Sequence, residues 1–169
     1  FIMLLKNGRT RIGCLAGMVF LAFLISRSNQ PGLAAQIPEG DSREPATIVC
    51  KNYPGSDLPI SILDHQTITS TIHVPDPGFL TDVNIWNLNI DHTYVGDLSG
   101  ELVAPDGQKV LLFYRVGGGG DDFVNTGFDD GALAGIAEGV APFTWTFRPA
   151  EPLSSLNGIS RVGDWHLLI

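Results

Sequence analysis

The residues best suited to chemistry are oxygen-bearing side chains that follow a run of four glycines at 117–120. Clustered carboxylates repel one another at neutral pH unless water or a cation neutralises them. Ca²⁺ prefers about six to eight oxygen ligands from Asp, Asn, backbone carbonyls and water, so the segment is a candidate calcium site. The spacing is not that of an EF-hand, and a solvated loop held by Asx turns is an equal alternative. The candidate ligands are Asp121, Asp122, Asn125, Asp129 and Asp130, joined by Asp97 if the fold brings it close.

The histidines do not occur in a sequence context typical of catalysis. A serine hydrolase needs a nucleophile, a base and an orienting carboxylate in one site, and the chain has no Gly-x-Ser-x-Gly motif. The histidine spacings do not indicate zinc, and the glycine run is not a phosphate-binding loop because no Gly-Lys-Ser/Thr follows it. The sequence therefore predicts no catalytic residue within the chain. The four histidines are His65, His73, His92 and His166.

Charge divides the chain into two parts. The first 35 residues carry four basic residues and no acid, whereas the remainder carries 6 basic and 18 acidic residues. Nucleic-acid affinity comes from Lys and Arg that neutralise phosphates, so the acidic remainder argues against a nucleic-acid partner.

The basic N-terminal part has the pattern of an export signal. Lys6, Arg9 and Arg11 precede an uncharged run at 12–25, and small residues at 32–36 suit a signal peptidase. Fourteen helical residues span roughly 21 Å, short of the roughly 30 Å hydrocarbon core. We therefore expect a signal helix within residues 1–35 that is cleaved on export to the extracellular or periplasmic space. This segment is the only part of the chain that we expect to contact a membrane. Only Cys50 would then remain, which excludes an intramolecular disulfide.

The rest of the chain has the pattern of a linker followed by short strands. Residues 36–65 are rich in Pro, Gly, Ser and Asp and are expected to form an extended linker. From Thr67 onward apolar and polar residues alternate with a period of two, which indicates strands. The parity changes near Asn87, so either both faces of that strand are buried or a bulge exchanges them. One face of the first strand carries Ile68, Ser70, Ile72 and Val74.

Turn residues and aromatic side chains complete an all-β pattern. Ala-Pro-Asp-Gly at 104–107, between two apolar runs, predicts a β-hairpin. Phe143, Trp145 and Phe147 alternate with threonines, and a last alternation ends at Ile169. Short strands separated by turns indicate a sandwich or jelly roll. Aromatic side chains on such strands are expected to be core residues, with glycan or protein binding by exposed ones as the alternative.

Ten short stretches occur in a fixed order between residues 66 and 169. They are STIHVPD at 70–76, LTDVNI at 80–85, HTYVGDL at 92–98, LVAPDG at 102–107, DFVNTGFDD at 122–130, APF at 141–143, TFRP at 146–149, PLS at 152–154, LNG at 156–158 and GDW at 163–165. Together they resemble the P domain (P/Homo B domain) of kexin-type and bacterial subtilisin-like serine proteases.

The resemblance implies a jelly-roll-like antiparallel β-sandwich at 66–169 that packs on a subtilisin-like protease domain, in cis or in trans. Such a domain supports the folding and stability of the protease and has no catalytic residues. An independent secreted binding or adhesion module on the same sandwich is the alternative, and a hydrolase is a weaker third. The family continues past the Gly-Asp-Trp strand into a closing strand. We therefore expect a truncated C-terminal strand and an exposed edge at Leu167-Leu168-Ile169.

Overall fold

The computed structural model describes residues 3–4 and 50–169. The predicted signal at 1–35, apart from residues 3–4, and the first part of the predicted linker, 36–49, lie outside the described residues. The described residues form strands and short 3₁₀ segments at Val95–Asp97, Ile136–Glu138 and Leu153–Leu156, with no α-helix among them. No helix in this part of the chain has the length and apolar content needed to cross a membrane. The strands are β1 (Met3–Leu4), β2 (Ser61–Ile62), β3 (Thr69–Val74), β4 (Ile85–Ile90), β5 (Ser99–Val103), β6 (Lys109–Tyr114), β7 (Phe123–Phe128), β8 (Thr146–Phe147) and β9 (Gly163–Leu168).

Two sheets form the body of the described domain. The first has the order β3-β9-β5-β6 and is antiparallel throughout. The second has the order β4-β7-β8, with β7 antiparallel to β4 and parallel to β8. Strands β1 and β2 pair separately. The predicted all-β class is confirmed, whereas the jelly-roll connection of the strands remains a prediction.

Aromatic rings join the two sheets into a sandwich. The ring of Phe113 on β6 lies 4.6 Å from that of Phe123 and 6.1 Å from that of Phe128, both on β7. Phe143 continues the cluster, 4.7 Å from Phe123 and 5.7 Å from Phe147. These centroid distances are those of favourable aromatic pairs, and all five rings are buried. The prediction that these alternating aromatics form the core is confirmed for these residues.

Trp145 departs from that pattern. The predicted strand over 143–147 is confined to Thr146–Phe147, and the chain bends at Trp145. Phe143 and Phe147 are buried on either side, but 76% of Trp145 is exposed. A period of two cannot reveal a bend, because a bend changes the direction of a side chain without changing the sequence pattern.

The parity change in β4 is a β-bulge. Ile85, Leu88 and Ile90 are buried, and the pairing with β7 shifts register between Ile85 and Leu88. Asn87 lies in this shift with φ of 64°. Asparagine tolerates this left-handed conformation better than most residues, so the bulge forms at Asn87. The structure decides between the two alternatives that the sequence left open.

The β5–β6 hairpin is confirmed. Gly107 N donates to Ala104 O over 2.9 Å, and Ala104 N donates to Gln108 O over 2.8 Å. Asp106 accepts a hydrogen bond from Gln108 N, and Gly107 has φ of 89°. Each turn residue thus has the local role that its type favours.

The expected exposed edge at the last strand is wrong. Strand β9 lies inside its sheet: Leu168 pairs with Thr69 of β3 on one side and with Glu101 of β5 on the other. Trp165 and Ile169 are buried. The expectation failed because a strand's neighbours depend on contacts between distant parts of the chain, which its own residues do not encode.

The described half of the predicted linker contacts the sandwich. Asp57 accepts hydrogen bonds from Ser70 Oγ and Thr71 N, each over 2.8 Å, and so covers the outer edge of β3. Tyr53, Leu58 and Ile60 pack against the core, and Ile62 within β2 is buried. Residues 50–63 thus contribute to the packing of the domain, while the domain boundaries remain a prediction.

Asp76 holds the start of this segment in place. It accepts hydrogen bonds from Lys51 Nζ over 2.6 Å and from Tyr53 Oη over 2.7 Å. Arg161 donates to the backbone carbonyls of Asp76 and Pro77. The hydrogen bonds from Lys51 and Tyr53 hold the pKa of Asp76 below its ordinary value, while desolvation and the contact with Asp76 raise the pKa of Tyr53.

Stability should therefore fall in acid partly through Asp76. A carboxylate whose pKa is lowered by folding stabilises the folded state at pH values above its ordinary pKa of 3.8. This contribution is lost as the pH falls through the folded-state pKa. We expect Asp76→Asn to flatten the dependence of the urea midpoint on pH below about 4. The matched control is Asp64→Asn, at an exposed aspartate in the same part of the chain. Equal acid dependence in the two variants would contradict the role of Asp76.

Candidate functional site

The aspartates of the acidic segment, residues 121–130, lie in two pairs at the two ends of β7. Asp121 and Asp122 precede the strand, and Asp129 and Asp130 follow it. A six-residue strand is roughly 20 Å long, so the two pairs cannot bind one ion. Asp97 lies near the first pair, because Val95 N donates to Gly120 O and Gly96 N donates to Gly118 O.

Several of these carboxylates have structural partners. Asp130 accepts hydrogen bonds from Leu153 N and Ser154 N, each over 2.8 Å, and so caps the 3₁₀ segment Leu153–Leu156. Asp129 Oδ1 accepts from Gly131 N, and Asp122 Oδ1 accepts from His92 N. The Asx-turn alternative is therefore realised at Asp129.

The six predicted ligands do not fit a single calcium ion in this arrangement. Among the described residues there is no group of three or more His, Cys, Asp or Glu side chains that could hold a metal. Asn125 lies within β7, away from both acidic pairs, and has φ of 51°. Calcium binding thus remains a prediction from composition.

Asn89 is a structural residue that the sequence did not reveal. Its Oδ1 accepts a hydrogen bond from Asn125 N, and its Nδ2 donates to Asn87 O, both over 2.9 Å. Asn87 and Asn125 are the two positive-φ residues of β4 and β7. One side-chain amide therefore replaces ladder hydrogen bonds at two neighbouring irregularities. The Asn-x-Asn spacing at 87–89, where the parity changes, is the signal that could have identified it.

The histidines make local contacts. On the β3–β9 ladder, His73 Nδ1 lies 2.6 Å from Asp164 Oδ1, and His166 Nδ1 lies 3.1 Å from Thr71 Oγ1. Both are cross-strand pairs of register partners on one face of the sheet. His92 Nδ1 accepts a hydrogen bond from Tyr94 N. His65 and Cys50 are exposed.

Residues 120–127 and 140–146 run side by side and carry exposed apolar side chains. Val124 N donates to Phe143 O, and Gly127 N donates to Trp145 O. Exposed apolar side chains on these segments are Val124, Val140 and Trp145, with exposed fractions of 37%, 81% and 76%.

Tyr94 lies next to the glycine run at 117–120, which in turn lies next to Ala141. A Cβ built at Gly119 would lie 3.2 Å from the Tyr94 ring, and one built at Gly120 would lie 2.7 Å from Ala141 Cβ. Half of Tyr94 is exposed. We call the set formed by Tyr94, Val124, Val140 and Trp145 the Trp145 surface.

The neighbourhood of the Trp145 surface is acidic. Residues 116–147 include five acidic residues and no Lys, Arg or His. Asp97, Asp121 and Glu138 in or near this stretch are exposed. Strands β4, β7 and β8 themselves contain no ionisable side chain.

Comparisons with known proteins place this chain in a sequence family. The family model described as proprotein convertase P-domain matches residues 81–169. Leupeptin-inactivating enzyme 1 of Streptomyces exfoliatus is 31% identical over 136 residues, which cover 80% of this chain and 28% of that enzyme. The chain thus spans less than a third of the relative's length. No solved structure is significantly similar.

The matched residues include β4 to β9 and with them nearly all of the two sheets. They also include the buried Trp165 and the cap formed by Asp130 on the Pro-Leu-Ser stretch at 152–154. The family match covers more than half of the chain. The chain belongs to the proprotein convertase P-domain family.

Proposed function

We propose that this chain is the non-catalytic P domain of a subtilisin/kexin-type serine endopeptidase and supports the folding and stability of its catalytic domain. The family match over residues 81–169 carries the proposal. The aromatic core and the covered edge of β3 support it, because they suit a compact module that adds stability to a neighbour. A jelly-roll connection of the strands is part of the same proposal.

Stabilisation by such a module follows from mass action. A partner that binds the native catalytic domain but not its unfolded chain stabilises that domain by about 2.7 kcal/mol when the concentration of free partner is about one hundred times Kd. In cis, the linker sets an effective concentration that serves the same purpose. The relative is named as an enzyme and is more than three times longer than the matched region. A module of this kind within a longer catalytic chain is consistent with that relative.

The test uses the subtilisin-like catalytic domain encoded in the same or a neighbouring gene, with its nucleophilic serine replaced by alanine to prevent self-digestion. We expect this chain to co-elute with that domain and to raise its Tm, whether joined to it or added separately. The reverse result, with neither co-elution nor a change in Tm, would exclude the proposal.

A stand-alone secreted binding module is the second candidate, because 76% of Trp145 is exposed. Exposed tryptophan is suited to stacking on sugar rings as well as to protein contacts. Glycan-array binding that is lost in a folded Trp145→Ser variant, without effect on any protease, would favour this candidate.

Export is proposed on the pattern of residues 1–35. We expect a secreted mature chain that begins near Gln36, as determined by N-terminal sequencing of the extracellular or periplasmic fraction.

Calcium stabilisation is proposed from the carboxylate content of the acidic segment. We expect millimolar Ca²⁺ to raise Tm and Asp121→Asn to reduce that rise. The control is Asp130→Ala at the opposite end of β7, because both carboxylate oxygens of Asp130 cap the segment Leu153–Leu156; this variant should lower stability by about 1–2 kcal/mol equally with and without Ca²⁺. A wild-type melting curve that does not respond to Ca²⁺ would end this proposal.

A further inference from the structure

Three exposed apolar residues of the described domain, Phe79, Tyr114 and Leu133, lie in chain segments that an arginine contacts. A Cβ built at Gly78, next to Phe79, would lie 3.2 Å from the Arg161 guanidinium. Tyr114 is covered by Arg115 at 5.4 Å from its ring centroid, and Arg148 donates to the carbonyl of Leu133. Residues 116–147, which supply Val124, Val140 and Trp145 of the Trp145 surface, contain no basic residue of their own.

The Trp145 side chain is exposed, but the backbone that carries it is hydrogen-bonded and flanked by buried residues. Its carbonyl accepts a hydrogen bond from Gly127 N. Two residues away on either side, Phe143 and Phe147 are 0% and 5% exposed within the aromatic cluster. The backbone at this position is therefore already ordered, and a tryptophan side chain has few rotatable bonds, so a partner that covers it restricts little conformational freedom, which favours binding.

The composition of this region is that of an interface core. Protein interfaces are depleted of charge at their centres and enriched in Trp and Tyr, while polar and charged residues lie at the rim. Strands β4, β7 and β8 contain no ionisable side chain, and the Trp145 surface adds one Trp and one Tyr. The outer face of β3 and β9 carries His73, Asp164 and His166 instead.

We propose that the Trp145 surface is the face on which the subtilisin-like catalytic domain packs, through an apolar patch ringed by Lys or Arg. This inference rests on the proposed function. The acidic rim, which includes Asp97, Asp121 and Glu138, selects a partner of opposite charge and speeds its association. Trp145 is the central anchor of the contact.

The test compares two exposed aromatic residues in the binding of the inactive catalytic domain described above. Trp145 is 76% exposed and Phe79 is 73% exposed, so Trp145→Ser and Phe79→Ser remove similar amounts of exposed ring. We expect Trp145→Ser to weaken Kd at least about tenfold, as for an interface anchor. Phe79→Ser should leave Kd within about twofold, and both variants should keep the wild-type Tm.

A second measurement addresses the acidic rim. We expect the association rate of the wild-type chain to fall as NaCl is raised from about 50 to about 500 mM, because salt screens attraction between surface charges. Asp97→Asn combined with Asp121→Asn should reduce both that rate and its salt dependence.

Different failures have different meanings. If the wild-type chain binds but Phe79→Ser, rather than Trp145→Ser, loses binding, the face is wrong and the proposed function stands. Loss of glycan binding in Trp145→Ser with protease binding unchanged would also overturn the inference. If the wild-type chain does not bind the catalytic domain, both proposals fall.

Discussion

Replacing Trp165 by alanine is expected to lower the free energy of unfolding by about 3–5 kcal/mol, which is a large part of the stability of an ordinary domain. The side chain is 2% exposed, and its Nε1 donates to Arg161 O over 2.9 Å. It lies on β9, which pairs with both β3 and β5. The variant would therefore leave a large cavity in the core, next to a central strand of the four-stranded sheet.

Urea unfolding followed by far-UV circular dichroism measures this effect without relying on the fluorescence of the deleted ring. Trp145→Ala is the matched control, because it makes the same chemical change at a residue that is 76% exposed. Its stability should remain within about 0.5 kcal/mol of the wild type. Similar midpoints for the two variants would mean that Trp165 does not support the core in this way.

Gly100→Ala is expected to destabilise the domain by about 3 kcal/mol, the upper end of the range for overpacking. A Cβ at Gly100 would lie 2.6 Å from Cζ of Phe113, its partner in the β5–β6 register. The Phe113 ring cannot retreat, because it is fully buried and lies 4.6 Å from the Phe123 ring. The added methyl group must therefore disturb the aromatic cluster that joins the two sheets.

Gly107→Ala separates this packing effect from backbone strain. Gly107 has φ of 89° and no atom within 4 Å of its built Cβ, so alanine there meets strain but no collision. We expect a cost of about 1 kcal/mol, measured by the same unfolding experiment. A larger loss at Gly107 than at Gly100 would show that close packing on Phe113 is not the limiting contact.

The sequence pattern correctly predicted the strand and turn features that depend only on neighbouring residues. The face carrying Ser70, Ile72 and Val74 is buried as alternation indicates, and the Pro-Asp-Gly turn forms the expected hairpin. Family resemblance, which depends on ordered short motifs, was confirmed by the match over residues 81–169. The strand face and the turn were predicted correctly because neighbouring residues alone determine strand parity and turn conformation.

The candidate sites could not be predicted in the same way. Acidic residues that are close in sequence lie at opposite ends of β7, because an extended strand separates residues that a loop would bring together. Asp130 proved to be a cap on a segment more than twenty residues away. Proximity in sequence is therefore a poor guide to a shared ligand when a strand intervenes.

For this protein the sequence by itself determined the all-β class, the parity of β3, the β5–β6 hairpin and the family. Only the tertiary structure decided that β9 lies between β3 and β5, that Asn89 joins two irregular strands, and that Trp145 is exposed beside buried phenylalanines. The reason is physical: sheet order and side-chain exposure depend on contacts between distant residues, and the pattern within one strand carries no information about its neighbours.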